Sequence, residues 1–131
     1  MNLGSGAPWE ARAGYCRVVR RGPHVWVSGT VALTPDGEPM KNAGAYAEAR
    51  RCLEIIDAAL HRAGARLEDV VRTRMYVTDI SDWEDVARAH GEVFGDIRPA
   101  TTLLAISALI ATEFTVEIEA EAWIDSTRTD P

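Results

Sequence analysis

The sequence predicts an α+β fold in which one mixed β-sheet carries two helices on one face. Two stretches have apolar residues at helical spacing, and one run near the C-terminus alternates apolar and polar residues as a strand does. Several shorter β-prone runs flank these stretches. Because two helices cannot cover both faces of a five- or six-stranded sheet, we expect them to pack on one face.

The N-terminal part of the sequence predicts a pair of strands. Tyr15 to Arg20 and His24 to Ser28 are β-prone, and Arg21-Gly22-Pro23 between them is typical of a tight turn. Residues 31–33 continue the sheet weakly. Thr34-Pro35-Asp36-Gly37 then forms a turn, since proline presets one φ angle and glycine accepts a positive one.

The first long helix is predicted from about Ala43 to Ala63. Its apolar residues recur three and four positions apart, and charged residues fall on the other side. Asn42 is placed to cap the start, and Gly64 suits the left-handed conformation that follows many helices.

Val70 to Val77 is predicted to be a strand, and a second helix follows it. Alternation places Arg72, Arg74 and Tyr76 on one strand face and Val71, Thr73, Met75 and Val77 on the other. Residues 79–82 lead into the helix, which ends at Gly95. Ser81 and Glu84 have the spacing of a capping box.

Two further strands are predicted after Arg98-Pro99 breaks the chain. Ala100 to Ile106 is the first, and Phe114 to Ile124 is the most regular strand of the sequence. One face of the latter carries Phe114, Val116, Ile118, Ala120, Ala122 and Ile124; the other carries Thr115, Glu117, Glu119, Glu121 and Trp123. If this strand lies beside Val70 to Val77, glutamates oppose arginines on a face typical of a subunit interface.

Composition limits the classes of function. The chain has 131 residues and a net charge of −6, which indicates a single domain and disfavours nucleic acid as a partner. Residues 1–10 and 126–131 are predicted to be loose tails. The sequence has neither a membrane-spanning apolar run nor a recognisable signal peptide, so we expect a cytoplasmic protein with no membrane partner.

Short segments spread over nearly the whole chain resemble a known family. They are Gly14-Tyr15, Val25-Trp26-Val27-Ser28-Gly29, Leu67-Glu68-Asp69-Val70-Val71, Tyr76-Val77-Thr78-Asp79 with Trp83, Phe94-Gly95, Pro99-Ala100, and Val116-Glu117-Ile118-Glu119-Ala120. Each segment is weak alone, but their order and spacing together are specific. The chain resembles the YjgF/Rid family of imine and enamine deaminases.

The resemblance implies a chorismate-mutase-like fold and a homotrimer with a cleft at each subunit interface. Deaminases of the family hydrolyse reactive imines or enamines without a cofactor. They hold the substrate carboxylate with an arginine directly after the Pro-Ala step, and here that position is Thr101. A neutral hydroxyl cannot replace a charged, two-pronged guanidinium. We therefore expect a ligand that is neutral or differently charged, unless Arg72 or Arg74 supplies the cation.

Two residues are candidates for catalysis through the resemblance. Glu117 matches a family glutamate that positions the hydrolytic water, and a carboxylate can take a proton from water. Tyr15 matches a cleft tyrosine whose hydroxyl can bind substrate or water. The alternatives are that Glu117 belongs only to the polar face of a strand and that Tyr15 is a half-buried aromatic residue.

Thr101, Ser28, Gly29 and Arg74 are the candidate substrate-binding residues. Ser28-Gly29 is predicted to end a strand, where glycine allows a ligand to approach the backbone closely, or else to form an ordinary turn. Arg72 and Arg74 are alternatively structural partners of the glutamates. Arg98 is a weaker candidate, because Pro99 bends the chain beside it.

Neither a metal site nor a cysteine nucleophile is predicted. The three histidines have no metal-ligand spacing, and no metal motif supports a cation at the alternating glutamates. Cys16 and Cys52 lack such spacing too, and no base is evident beside Cys16. The resemblance implies a small-molecule hydrolase, and a non-catalytic metabolite-binding trimer is a nearly equal alternative. A third alternative is an interaction or chaperone-like trimer.

Overall fold

A computed structural model, which describes residues 1–125, contains one six-stranded mixed sheet, three α-helices and two single-turn 3₁₀ helices. The strands are β1 (Asn2–Leu3), β2 (Val18–Arg21), β3 (His24–Val31), β4 (Val70–Val77), β5 (Ala100–Ala105) and β6 (Val116–Trp123). The helices are α1 (Pro8–Ala13), α2 (Ala45–Arg62) and α3 (Trp83–Phe94). No helix in the described part of the chain is long and apolar enough to cross a membrane.

The lateral order of the strands is β1-β2-β3-β6-β4-β5. All neighbours are antiparallel except β4 and β5, which are parallel. Parallel neighbours need a crossover connection, and α3 provides it. The predicted strand pair, the two long helices and the last three strands are confirmed, with element ends shifted by a few residues.

The hydrophobic core lies between one face of the sheet and the two long helices. Val116, Ile118, Ala120 and Ala122 of β6 are at most 2% exposed and face this core. The apolar side of α2 and residues Val86, Ala89 and Phe94 of α3 complete it. The predicted inward face of β6, and the packing of both long helices on one sheet face, are therefore confirmed.

The other sheet face pairs charges between β4 and β6. Arg72 lies opposite Glu121, Arg74 opposite Glu119, and Tyr76 opposite Glu117. This is the cross-strand arrangement that the alternation predicted, and oppositely charged cross-strand pairs stabilise a sheet modestly. Large apolar side chains remain exposed on the same face, among them Trp26 and Trp123. We call this surface the open face.

The predicted inward orientation of Val71 is wrong, because β4 has a β-bulge at this residue. The register between β4 and β6 shifts between Val70 and Arg72, so that Val71 has no partner and is 49% exposed. Val70 turns inward in its place. Strict alternation failed because a bulge adds one residue to one strand, which sequence periodicity does not reveal.

The N-terminal residues are ordered, contrary to the expectation of a loose tail at 1–10. β1 pairs with β2 through Asn2 and Leu3, and α1 begins at Pro8. Glu10 is buried and accepts hydrogen bonds from the backbone N–H and hydroxyl of Ser5, which fixes the segment between β1 and α1. The predicted tail at 126–131 lies outside the described residues.

Two predicted helix caps are wrong. The cap position of α2 is Gly44, without a side-chain hydrogen bond, and Asn42 has a positive φ of 55°. Before α3 the Asp79 carboxylate accepts from both the N–H and the hydroxyl of Ser81, so Ser81 does not cap the helix. Gly64 has the predicted left-handed conformation, with φ of 85°.

Truncation of the core face of β6 is expected to be costly. Ile118 is fully buried, so Ile118→Ala removes apolar contacts and leaves a cavity; we expect it to lower the free energy of unfolding by about 2–5 kcal/mol. Urea unfolding measures this loss. Val71→Ala at the exposed bulge is the control and should change the value by less than about 0.5 kcal/mol. Equal losses in both variants would contradict the assigned faces.

Candidate functional site

An open cleft of about 760 Å³ lies beside β3 and the start of β6. Its walls are the N-terminal segment 5–9, the loop 33–39, one side of α2 and residues 110–111. Its polar side chains include Tyr15, Arg17, Arg51 and Glu117. Among the predicted site residues, the structure brings together Tyr15, Gly29 and Glu117 here.

Glu117 is packed closely against the backbone of Gly29. A Cβ atom built at position 29 would lie only 2.6 Å from Glu117 Oε2 and 3.0 Å from its Cδ. Any side chain at position 29 would therefore displace the carboxylate. The sequence analysis predicted that a ligand approaches the backbone at Gly29; the group that lies there in the structure is the protein's own Glu117.

A bulge in β3 creates this contact. Val27 pairs with Ala120 and Thr30 with Ile118, so Ser28 and Gly29 together face one residue of β6. The strand does not end at Ser28-Gly29 as predicted, since it continues to Val31. The extra residue bends the strand and increases its local twist, as bulges do, next to the cleft.

Arg17 and Arg51 are cleft arginines that the sequence analysis missed, and Arg17 is the more deeply buried of the two. Arg17 is only 7% exposed, and its Nη2 donates a hydrogen bond of 2.5 Å to the carbonyl of Gly29. Its Nε is buried and has no hydrogen-bond partner among residues 1–125. Its position two residues after Tyr15 was the available signal, because alternate strand residues share a face.

Tyr15 stands at the edge of the cleft and is 36% exposed. Gly14 ends α1 in a left-handed conformation, with φ of 79°, and turns the chain into Tyr15. Partial burial raises the pKa of Tyr15, and the nearby Arg17 partly opposes this effect. Tyr15 is therefore a neutral hydroxyl at neutral pH, able to donate and accept hydrogen bonds.

The environment of Glu117 favours the protonated form. Burial raises the pKa of Glu117, Glu119 adds to the increase, and Arg17 acts in the opposite direction. A carboxylate with a raised pKa is better matched to proton transfer near neutral pH than an exposed one. The cleft thus combines a proton acceptor, a hydroxyl and a buried cation.

Ser28 does not line this cleft, although it was predicted to bind substrate. Its hydroxyl donates to the carbonyl of Cys16 at 2.7 Å, and its N–H donates to the carbonyl of Arg17 at 3.0 Å. These bonds hold the segment that carries Tyr15 and Arg17 against β3. Ser28 therefore positions the cleft rather than contacting its interior.

The two arginines of β4 also lie outside the cleft lining. Arg74 Nη1 donates to Glu121 at 3.0 Å and lies 3.7 Å from Glu119, and Arg72 Nη2 donates to Thr102 at 2.7 Å. The interpretation of Arg74 as structural fits these contacts better than a binding role. Arg98, the weaker candidate, lies after the end of α3 and has a positive φ of 57°.

Thr101 is two strands away from β6 and outside the cleft lining. Its hydroxyl accepts a hydrogen bond of 2.7 Å from the buried Thr73 on β4. A hydroxyl has one proton, so Thr73 in turn accepts from Nε2 of His90, at 2.8 Å. Burial lowers the pKa of His90, which keeps this imidazole neutral.

No cluster of three metal-ligating side chains occurs within residues 1–125. The buried Cys52 thiol has a raised pKa because burial disfavours the thiolate, so it is a poor nucleophile.

A side chain at position 29 is expected to perturb Glu117 specifically. In Gly29→Ala the new methyl group displaces the carboxylate, so the pKa of Glu117 should change measurably, while the free energy of unfolding stays within about 1 kcal/mol. NMR titration of the glutamate carboxyl carbons measures the pKa. Gly91→Ala on α3, where a Cβ atom meets nothing within 4 Å, is the control and should leave it unchanged. An unchanged pKa in Gly29→Ala would refute the contact.

Comparison with known proteins identifies relatives over nearly the whole chain. The family model Endoribonuclease L-PSP matches residues 5–124. An uncharacterised Streptomyces coelicolor protein is 35% identical over 124 residues, which are 91% of this chain and 88% of that protein.

Solved structures similar to this chain include members of the same family. A Mycobacterium tuberculosis member of the YjgF/YER057c/UK114 family is 45% identical with a TM-score of 0.85, over 95% of this chain and 98% of that one. RidA from an Antarctic Psychrobacter is 27% identical with a TM-score of 0.79, over 94% of both chains. With a family model matched over residues 5–124, the chain belongs to the YjgF/RidA family.

Proposed function

We propose that this protein hydrolyses an imine, an enamine or a related reactive metabolite in the cleft beside β3. The observation that carries the proposal is the half-buried Glu117, which packs against Gly29 and lines the same cleft as Tyr15. Family membership supports it, since one relative is a RidA protein. The net charge of −6 favours a small molecule over RNA as the ligand.

The proposed reaction needs only water and a proton acceptor. Glu117 takes a proton from a water molecule as its oxygen adds to the imine carbon, and then returns the proton to the nitrogen. The adduct carries a hydroxyl and an amino group on the same carbon. Glu117 then transfers the hydroxyl proton to the amino nitrogen, the carbon–nitrogen bond breaks, ammonia leaves and a carbonyl group forms. Tyr15 contributes a hydroxyl that hydrogen-bonds to substrate or water. We expect no cofactor, because hydrolysis involves no change of oxidation state.

A non-catalytic role in metabolite binding is the second candidate. The observation in its favour is Thr101, which stands where the resemblance places the carboxylate-binding arginine and which is hydrogen-bonded to Thr73. In this reading the cleft senses or sequesters a metabolite, and Glu117 is a hydrogen-bond acceptor.

We also propose that the chain forms a homotrimer, with each cleft completed by a neighbouring subunit. Thr101 lies outside the cleft lined by Glu117, so a shared site requires a second copy. The open face exposes Trp26, Trp123 and Leu104 beside paired charges. Aromatic residues and arginine are enriched at subunit interfaces, which supports burial of this face by other copies.

Removal of the proposed proton acceptor should slow turnover strongly. Glu117→Gln is expected to lower the rate about 10²–10⁴-fold without loss of folding, measured as release of 2-oxobutyrate from 2-iminobutyrate made in situ by a pyridoxal-phosphate dehydratase. In the wild type, kcat/KM should rise with pH through an apparent pKa above the usual glutamate value of about 4.3, because burial raises the pKa of Glu117.

Glu84→Gln, at an exposed carboxylate of α3 outside the cleft lining, is the matched control and should retain full activity. Binding of the product without any turnover in the wild type would favour the non-catalytic role. An unchanged rate in Glu117→Gln would refute the proposed mechanism.

The assembly is tested by light scattering. We expect a molecular mass close to three times the chain mass of 14.3 kDa at micromolar concentration. Trp123→Glu on the open face should shift the population toward monomer, because it places a further negative charge beside Glu121 on β6. A monomeric wild type would contradict the shared cleft.

A further inference from the structure

We propose that Arg17 binds the carboxylate, or an equivalent anionic group, of the ligand in the cleft, and so takes the place of the arginine that is absent at position 101. This inference rests on the proposed function, since it assigns the substrate class of the same cleft. It replaces the expectation of a neutral ligand, which assumed that the cleft has no cation of its own.

The hydrogen bonds of Arg17 leave it incompletely satisfied. Its guanidinium has five N–H donors, and among the described residues it makes one hydrogen bond, to the carbonyl of Gly29. The residue is 7% exposed and lines the cleft, and its buried Nε has no partner. Burial of a charged group without hydrogen-bond partners costs free energy, and a bound anion offsets this cost because it supplies both the opposite charge and hydrogen-bond acceptors.

No acidic side chain neutralises Arg17 through a salt bridge within residues 1–125. The carboxylates of Glu10 and Glu117 are near enough to act on the pKa of Arg17, but neither lies within the 4.0 Å of an ion pair. Burial is the largest influence and lowers that pKa, although arginine stays charged at neutral pH. Arg17 therefore faces the cleft as a desolvated cation.

The other arginine of the cleft differs in its contacts. Arg51 donates from Nε to the carbonyl of Leu33 at 2.6 Å and from Nη1 to Glu54 at 3.3 Å. Its contacts join α2 to the loop after β3 and to its own helix. Arg51 is thus a matched arginine in the same cleft, with partners on both sides of its guanidinium.

The placement of Arg17 also orients the ligand. Gly29 contacts both functional groups, since its carbonyl accepts from Arg17 and its missing side chain leaves room for Glu117. A small 2-imino or 2-oxo acid bound through its carboxylate at Arg17 would have its reactive carbon one bond further on. That carbon would lie on the side of the cleft where Glu117 can position water.

Equilibrium binding tests the proposal without any need for turnover. The probes are 2-oxobutyrate and its uncharged amide, 2-oxobutanamide, measured by calorimetry on the purified assembly. We expect the wild type to bind the acid at least ~30-fold more tightly than the amide, which is the smaller loss seen when a buried charge pair is broken. Arg17→Gln should abolish this preference, and Arg51→Gln should keep it.

Arg17→Lys provides a second variant if Arg17→Gln does not fold. It keeps the charge but loses the two-pronged geometry, so it should bind the acid more weakly than the wild type and the amide equally well. A wild type that binds acid and amide alike, or binds neither, overturns the proposal. A preference for the acid that survives in Arg17→Gln overturns it as well.

The failure of this inference is distinguishable from failure of the proposed hydrolysis. Acid binding that depends on Arg17, in a wild type that releases no product from the imine, supports the anion site and refutes the hydrolase. Turnover that depends on Glu117 but is equally fast in Arg17→Gln supports the hydrolase and refutes the role of Arg17.

Discussion

The close contact between Gly29 and Glu117 is the constraint on which the cleft depends. The bulge at Ser28 and Gly29 puts two residues of β3 opposite one residue of β6, and only glycine leaves space for a carboxylate at 2.6 Å from where a Cβ atom would be. The same residue offers its carbonyl to Arg17. One irregular residue pair thus fixes both charged groups of the cleft relative to each other.

Strand pairing determines which arginines are available to a ligand. β4 lies beside β6, so Arg74 is opposed by glutamates and forms ion pairs on the open face. Exposed ion pairs of this kind contribute little to stability, but they engage the Arg74 guanidinium with glutamates instead of a ligand. Arg17 precedes β2, away from those glutamates, and remains buried with unused donors. Arg17 is therefore a buried cleft cation that keeps N–H donors for a ligand.

Regular periodicity explains how much of the fold could be predicted from the sequence. The alternation of β6 and the helical spacing of α2 set their faces correctly, because burial imposes one period on each element. The bulges at Val71 and at Ser28-Gly29 could not be predicted, since they depend on the register with a neighbouring strand. Tyr15 and Glu117 were candidates through the resemblance, and Gly29 was a candidate through the close approach that glycine allows; the structure places all three in the cleft lining. Arg17 was missed because its burial depends on contacts between distant segments.

The environment of Thr101 shows that its hydroxyl is part of an internal network. Thr73 is fully buried on β4, so its hydroxyl needs partners, and Thr101 on one side and His90 on the other provide them. A long charged side chain at position 101 would remove the hydroxyl that accepts a hydrogen bond from Thr73. Thr101 and Arg17 therefore have separate roles. Thr101 on β5 accepts a hydrogen bond from a buried hydroxyl near the sheet edge and thus completes an internal hydrogen-bond network. Arg17, which precedes β2, brings a cation to the cleft that Glu117 on β6 also lines.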